Sequence, residues 1–282
     1  MSDGSTTEFR DNWVTREEAE YSHFTKGEPK NQIQLAFRNH WETWNQIFPE
    51  LQNGGKVLEV GSGRGTLSMY FSQHGWDTTI LDIVPEVLES AKSQFDSQGL
   101  TVETIVADCM KMPLPENSFD VVFSIGLLEH FSNPEDVLRE QVRVLVPGGL
   151  LVSYVVPEPA GECIQHSYDW INDLLRSLLA DSGQVRTQAP KAEVFRSDFR
   201  APLYESILSD FGCQGVGSSG TYPLPMISWS TDFPFTLLPP EAEEVLMVKL
   251  RDLLSKREAA GAAHPWLCEE EEGQAFLVWA RK

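Results

Sequence analysis

Between Glu59 and Gly65 the chain reads Glu-Val-Gly-Ser-Gly-Arg-Gly, which puts three glycines, Gly61, Gly63 and Gly65, at alternate positions just after a carboxylate. Without a Cβ, such backbone can touch a ligand and adopt φ > 0. Turns of this kind serve dinucleotides, phosphates and adenosyl cofactors alike. A dinucleotide fingerprint would be G-x-G-x-x-G/A, but the sixth residue counted from Gly61 is Thr66. Glu59 would also repel a pyrophosphate. A ligand carrying an ammonium, a sulfonium or ribose hydroxyls would tolerate the acid or gain from it.

Three further segments line up behind this loop. "LDI" ends in Asp82 and Ile83, with the acid 17 residues beyond Gly65; an acid there can accept hydrogen bonds from both ribose hydroxyls. "VADCM" places Asp108 and Cys109 where an exocyclic amine of adenine could donate. "SIGLLEH" runs from Ser124 and Ile125 to Glu129 and His130. Each acid alone says little, because strand ends often carry Asp for turn chemistry. Their order and spacing together narrow the ligand.

A proton acceptor would come from the same side. His130 is the first candidate general base, and His166, with Tyr168 and Asp169, the second. A positioned base contributes about 10²–10⁴-fold. Each histidine also has a structural reading, as a residue capping or packing its loop. Tyr21 is a candidate cofactor contact from the N-terminal region, and His23 and His40 are weaker contributors. Trp41 and Trp44 could wall a planar or cationic substrate, although core packing is the stronger expectation.

These residues need a scaffold. Lys56–Val60, Thr78–Leu81, Thr101–Val106, Phe119–Ser124 and Leu150–Val156 read as strands, alternating with helical segments Gly65–His74, Val84–Phe95 and Asn133–Leu145. The last helix has Asn at its cap and Pro at its first position. Such alternation predicts a parallel sheet covered on both faces. Gln32–Phe48 has helical apolar spacing within an aromatic-rich region, residues 1–50, expected to be a helical cap or lid. Residues 51–282 would form the main domain, with a substrate-side insertion at about 157–240. Within and beyond it, His166–Gly183, Pro202–Phe211 and Glu241–Lys256 read as helices, Cys213–Tyr222 and Phe276–Ala280 as strands, and Gln184–Arg200 as loop. The acid run Glu269–Glu272 reads as a solvated turn.

With 22 basic and 42 acidic residues the net charge is −20. That field opposes nucleic-acid binding, which rests on phosphate neutralisation by Lys and Arg, and disfavours an anionic membrane surface. The four cysteines lie 50 or more residues apart with no C-x-x-C pair, so no metal knuckle is expected. Without a basic leader or apolar h-region, a reduced, soluble, cytoplasmic protein is expected.

"VLEVGSGRG", "LDI", "VADCMKMPLPENSFDVVFSIGLLEHF" and "VLVPGGLLV" together resemble the class I S-adenosylmethionine-dependent methyltransferases, in the group that includes the ubiquinone/menaquinone C-methyltransferases. The resemblance covers roughly residues 50–156, with "GQAFLVWARK" a looser match to the closing strand; residues 1–50 and 157–240 match no family pattern. It implies a Rossmann-like α/β fold with a seven-stranded, mostly parallel sheet and S-adenosyl-L-methionine as cofactor. Glu59 and the Gly61, Ser62, Gly63 and Gly65 backbone would lie near the methionine moiety. Asp82 would hold the ribose and Ile83 the adenine face. Asp108 and Cys109 would meet the adenine edge, with Ser124 and Ile125 closing the site. The acceptor would be a small molecule, methylated on O or N ahead of C or S. An NAD-dependent oxidoreductase, opposed by Thr66, and a non-catalytic binding protein are the alternatives. The sequence leaves oligomeric state open.

Overall fold

Val57, Leu58 and Val60 sit on a run too short for a helix, and in the computed structural model they belong to β1 (Lys56–Val60), buried beyond its first residue. The structure describes residues 23–158, 177, 195–221, 240–269, 273 and 275–282. Alongside β1 stand β2 (Asp77–Asp82), β3 (Glu103–Val106), β4 (Phe119–Ile125) and β5 (Leu145–Val155), all mutually parallel. β6 (Gln214–Thr221) and β8 (Ala275–Arg281) extend the sheet, and β7 is the two-residue strand Leu267–Cys268. The order is β3-β2-β1-β4-β5-β8-β6-β7, with β8 antiparallel to both neighbours.

The expected seven strands are therefore eight. The extra one pairs only Gly220 with Cys268 and Thr221 with Leu267, and two residues are too few to show a period. The fifth strand also starts five residues earlier than its apolar run. Its pairing with β4 is interrupted between Phe119 and Val121, so the irregular Pro147-Gly148-Gly149 stretch is carried within the strand.

Alternation along the strands separates two cores. Leu58, Val60, Val122, Leu151 and Val278 face one side, where α4 (Glu135–Val144) and α5 (Ala201–Asp210) cover them. Val57, Val121, Phe123, Val152 and Leu277 face the other, under α1 (Gln32–Ile47) and α2 (Thr66–Gln73). Helices α3 (Pro85–Ser97) and α6 (Pro240–Ala259) complete the described set. α1 starts where Asn31 Oδ1 accepts the Gln34 N–H at 2.9 Å, an N-cap that satisfies one orphan donor. The Gln32 N–H donates to Glu243 Oε1 at 2.6 Å, so a carboxylate from α6 meets the positive end of α1. At α4 the cap position is Pro134 and not Asn133; Asn133 Oδ1 instead accepts the Glu135 N–H at 3.1 Å.

The N-terminal helix is a layer of the core. Trp44 is fully buried and meets Phe123 edge-on at 5.6 Å, and Trp41 meets Phe71 at 5.0 Å. Of the expected helix at His166–Gly183 the described residues include residue 177 alone, which is helical, and most of the Gln184–Arg200 loop lies outside them.

Candidate active site

Strand order reverses between β1 and β4, and ligands of open α/β sheets bind beyond the carboxyl ends at such a point. The glycine loop stands there. Gly61, Gly63 and Gly65 have φ of 67°, 51° and 61°, a region that side chains with a Cβ rarely adopt. Space also demands glycine at Gly61, since a Cβ there would come within 2.6 Å of Leu127 Cδ1. The loop is held by Gly61 and Ser62 N–H groups, which both donate to Leu81 O at the end of β2. Ser62 Oγ is buried and has no hydrogen-bond partner among the described residues, a condition native interiors rarely leave unless a ligand or water supplies one.

Asp82 does more than end a strand. Its Oδ2 accepts the Gly63 N–H and its Oδ1 the Val84 N–H, each at 3.0 Å. The carboxylate thus links the glycine loop to the start of α3 while keeping lone pairs for further donors. Burial raises its pKa, and the backbone hydrogen bonds from Val84, Gly63 and Ile83 work against that rise. Beside it, Ile83 is 39% exposed, and Val106, the register partner of Asp82 on β3, is 56% exposed. Both are exposed apolar side chains at the ends of adjacent strands. Val106 was missed by sequence reasoning, which read it as the last residue of an apolar strand. Asp108 Oδ1 accepts the Met110 N–H at 2.9 Å, shaping the turn after β3. The Cys109 thiol is buried, and burial with the Asp108 charge pushes its pKa up to about 12, so it is inert as a nucleophile.

Glu59 points from β1 toward α2, where Ser68 Oγ donates to its Oε2 at 2.5 Å. Burial pushes its pKa up to about 8; the Ser68 hydrogen bonds pull against this and the Asp82 charge adds to it. The folded chain therefore keeps a proton that the unfolded chain, titrating near 4.5, has released. Stability from this group is full below that lower value and is lost as pH rises through the higher one. Denaturant unfolding at about pH 5 and about pH 9 should show this decline in the wild type and a flatter profile in Glu59→Gln. Equal slopes in both proteins would assign the decline to other groups.

On β4, Ser124 Oγ donates to Ser153 Oγ at 3.0 Å, with both residues fully buried. Ile125 packs into the core beneath α1. His130 is buried, and its Nδ1 lies 2.7 Å from Phe195 O. A carbonyl only accepts, so Nδ1 carries a hydrogen. Burial lowers its pKa to about 4, which makes the ring neutral and a weak proton acceptor at neutral pH. Tyr21 and His166 lie outside the described residues. The structure brings the loop, Asp82, Ile83, Asp108, Cys109, Ser124 and Ile125 to the carboxyl ends of four neighbouring strands.

Residues 58–153 match a family model described as a methyltransferase domain. The ubiquinone/menaquinone biosynthesis C-methyltransferase of Azotobacter vinelandii is 28% identical over 134 residues, 46% of this chain and 53% of that protein. A sterol 4-C-methyltransferase of Caenorhabditis elegans is 32% identical over 107 residues, 37% of this chain and 32% of that one. The chain spans about half the length of the first of these relatives and a third of the second. A crystal structure of a candidate sarcosine dimethylglycine methyltransferase from Galdieria sulphuraria has the same fold, with a TM-score of 0.54 over 99% of this chain and 98% of that one, at 18% identity. The matched segment is a class I S-adenosylmethionine-dependent methyltransferase domain. Its cofactor is S-adenosyl-L-methionine. The site's features fit that group: a glycine backbone that can approach it, an orphaned hydroxyl at Ser62, a carboxylate for hydroxyls and exposed apolar side chains.

Proposed function

We propose that this chain is a cytoplasmic enzyme that transfers the methyl group of S-adenosyl-L-methionine to a small-molecule acceptor by in-line displacement. The observation that carries this reading is the joining of the glycine loop to Asp82, through the Gly63 N–H, at the reversal of strand order. Glu59, Gly61, Ser62, Gly63 and Gly65 would hold the methionine end. Asp82 would take the ribose and Ile83 the adenine face, with Asp108 and Cys109 at its edge and Ser124 and Ile125 closing the site; Tyr21 would add a contact from the N-terminal segment. The bound cofactor supplies an activated methyl group. The chain's own task is to place a nucleophile about 3–3.5 Å from it and in line, which can supply up to roughly 7–11 kcal/mol.

For a hydroxyl or amine acceptor a proton must also leave. We read His130 as a clamp, its Nδ1–H fixing the segment at Phe195, and leave His166 as the histidine that could serve as base. Oxygen or nitrogen is the acceptor atom we favour, because buried hydroxyls and carboxylates crowd the strand ends. Carbon is the second reading, since the curated relatives are named C-methyltransferases.

Calorimetric titration should give saturable heat with S-adenosylhomocysteine and none with NAD. Binding of NAD instead would replace this reading with a dehydrogenase. If S-adenosylhomocysteine binds but labelled methyl groups reach no member of a broad panel of phenols, amines and carbon acids, the chain is a non-catalytic binder.

A further inference from the structure

On the α4 and α5 side of the sheet, four polar side chains meet beneath a single strand of backbone. Glu129 is wholly buried, and neither carboxylate oxygen makes a hydrogen bond among the described residues. Ser197 Oγ and Tyr204 Oη are likewise buried without partners. The Tyr204 phenol pKa is raised, first by burial and further by the Glu129 charge, while Ser197 works against the rise, so the three groups sense one another. His130 Nε2 lies 4.0 Å from Glu129 Oε1.

Backbone holds the cluster in place. The Ser197 N–H donates to Glu129 O at 2.7 Å, and the Glu158 N–H to Ser197 O at 2.8 Å. Phe195, half of it exposed, lies on the solvent side of this strap. Glu129 also abuts the end of β4, where a Cβ added to Gly126 would lie 3.4 Å from Oε1. The cluster is therefore next to the end of β4, where Ser124 and Ile125 are proposed to close the cofactor site. It holds one carboxylate and two hydroxyl oxygens, all able to accept. Burial pushes the Glu129 pKa up to about 7, while the Arg196 charge and the backbone of Glu129 and Val156 pull against the rise; neither carboxylate oxygen has a hydrogen-bond partner among the described residues.

We propose that Glu129, Ser197 and Tyr204 form a binding site for the ammonium group of the methyl acceptor. An alkylammonium has three N–H donors and no acceptor, the complement of this set. The net charge of −20 would raise the local concentration of such cations. The assignment of that cation to the methyl acceptor rests on the methyltransferase reading; the site itself rests on the cluster.

The test uses methylammonium chloride added to the full chain, with equal sodium chloride as control, and thermal unfolding as readout. Ligands that bind only the folded state raise the melting temperature with saturation. A saturable rise over sodium chloride is expected in the wild type, lost in Glu129→Gln. Ser197→Ala and Tyr204→Phe should each weaken the apparent affinity about threefold or more, the scale of one hydrogen bond. These two variants decide the matter if Glu129→Gln does not fold. No saturable rise in the wild type, or an undiminished rise in the variants, would overturn the site. S-adenosylhomocysteine titrated into the same proteins tests the methyltransferase reading separately, and its affinity should be the same in all four.

Discussion

Asp82→Ala should weaken binding of S-adenosylhomocysteine about tenfold or more, the scale of losing a hydrogen bond to a charged group. Two losses combine. The alanine removes the acceptor proposed for the ribose hydroxyls, and it also strips the partner from Gly63 N–H and Val84 N–H. Gly63, held at a φ of 51°, would lose the side chain that ties it to β2. The loop would then pay, on binding, an ordering cost that the wild type meets on folding. Asp82→Asn keeps one acceptor oxygen and should fall between the two. Calorimetry reads both variants directly, and an unchanged affinity in Asp82→Ala would remove Asp82 from the site.

Trp44→Ala should cost about 3–5 kcal/mol of folding stability, the range for deleting a large buried aromatic side chain. The indole is wholly buried, edge-on to Phe123 at 5.6 Å and to His40 at 6.1 Å. Phe123 in turn stacks with Phe71 at 5.2 Å, so the cavity would open under the centre of the sheet and beside α2. For a chain of this size the melting temperature should fall on the order of 10 °C. Trp44 Nε1 has no hydrogen-bond partner, so Trp44→Phe, which removes that buried donor, should cost far less. A small loss in Trp44→Ala would mean that α1 sits loosely on the sheet and acts as a lid.

The Trp44 case marks where sequence reasoning stopped. Spacing placed Gln32–Phe48 on a helix and its aromatics on one face, but an apolar face reads the same against a core or against a substrate. The partner that settles it, Phe123, is 79 residues away. His130 shows the same gap: its position after β4 was legible, while its hydrogen bond to Phe195 and its lowered pKa depend on a segment 65 residues later.

Local chemistry determined the β1 turn, the acids after β2 and β3, and the alternation of strands and helices. Each follows from a handful of consecutive residues: glycine where φ is positive, Asp where a strand ends, apolar period two or near four. Tertiary structure alone decided that β8 lies between β5 and β6, that Ser124 spends its hydroxyl on Ser153, and that Glu129 meets Ser197 and Tyr204. Those contacts join residues tens of positions apart. Burial and pairing across the sheet select them, and such selection leaves no periodic trace along the chain.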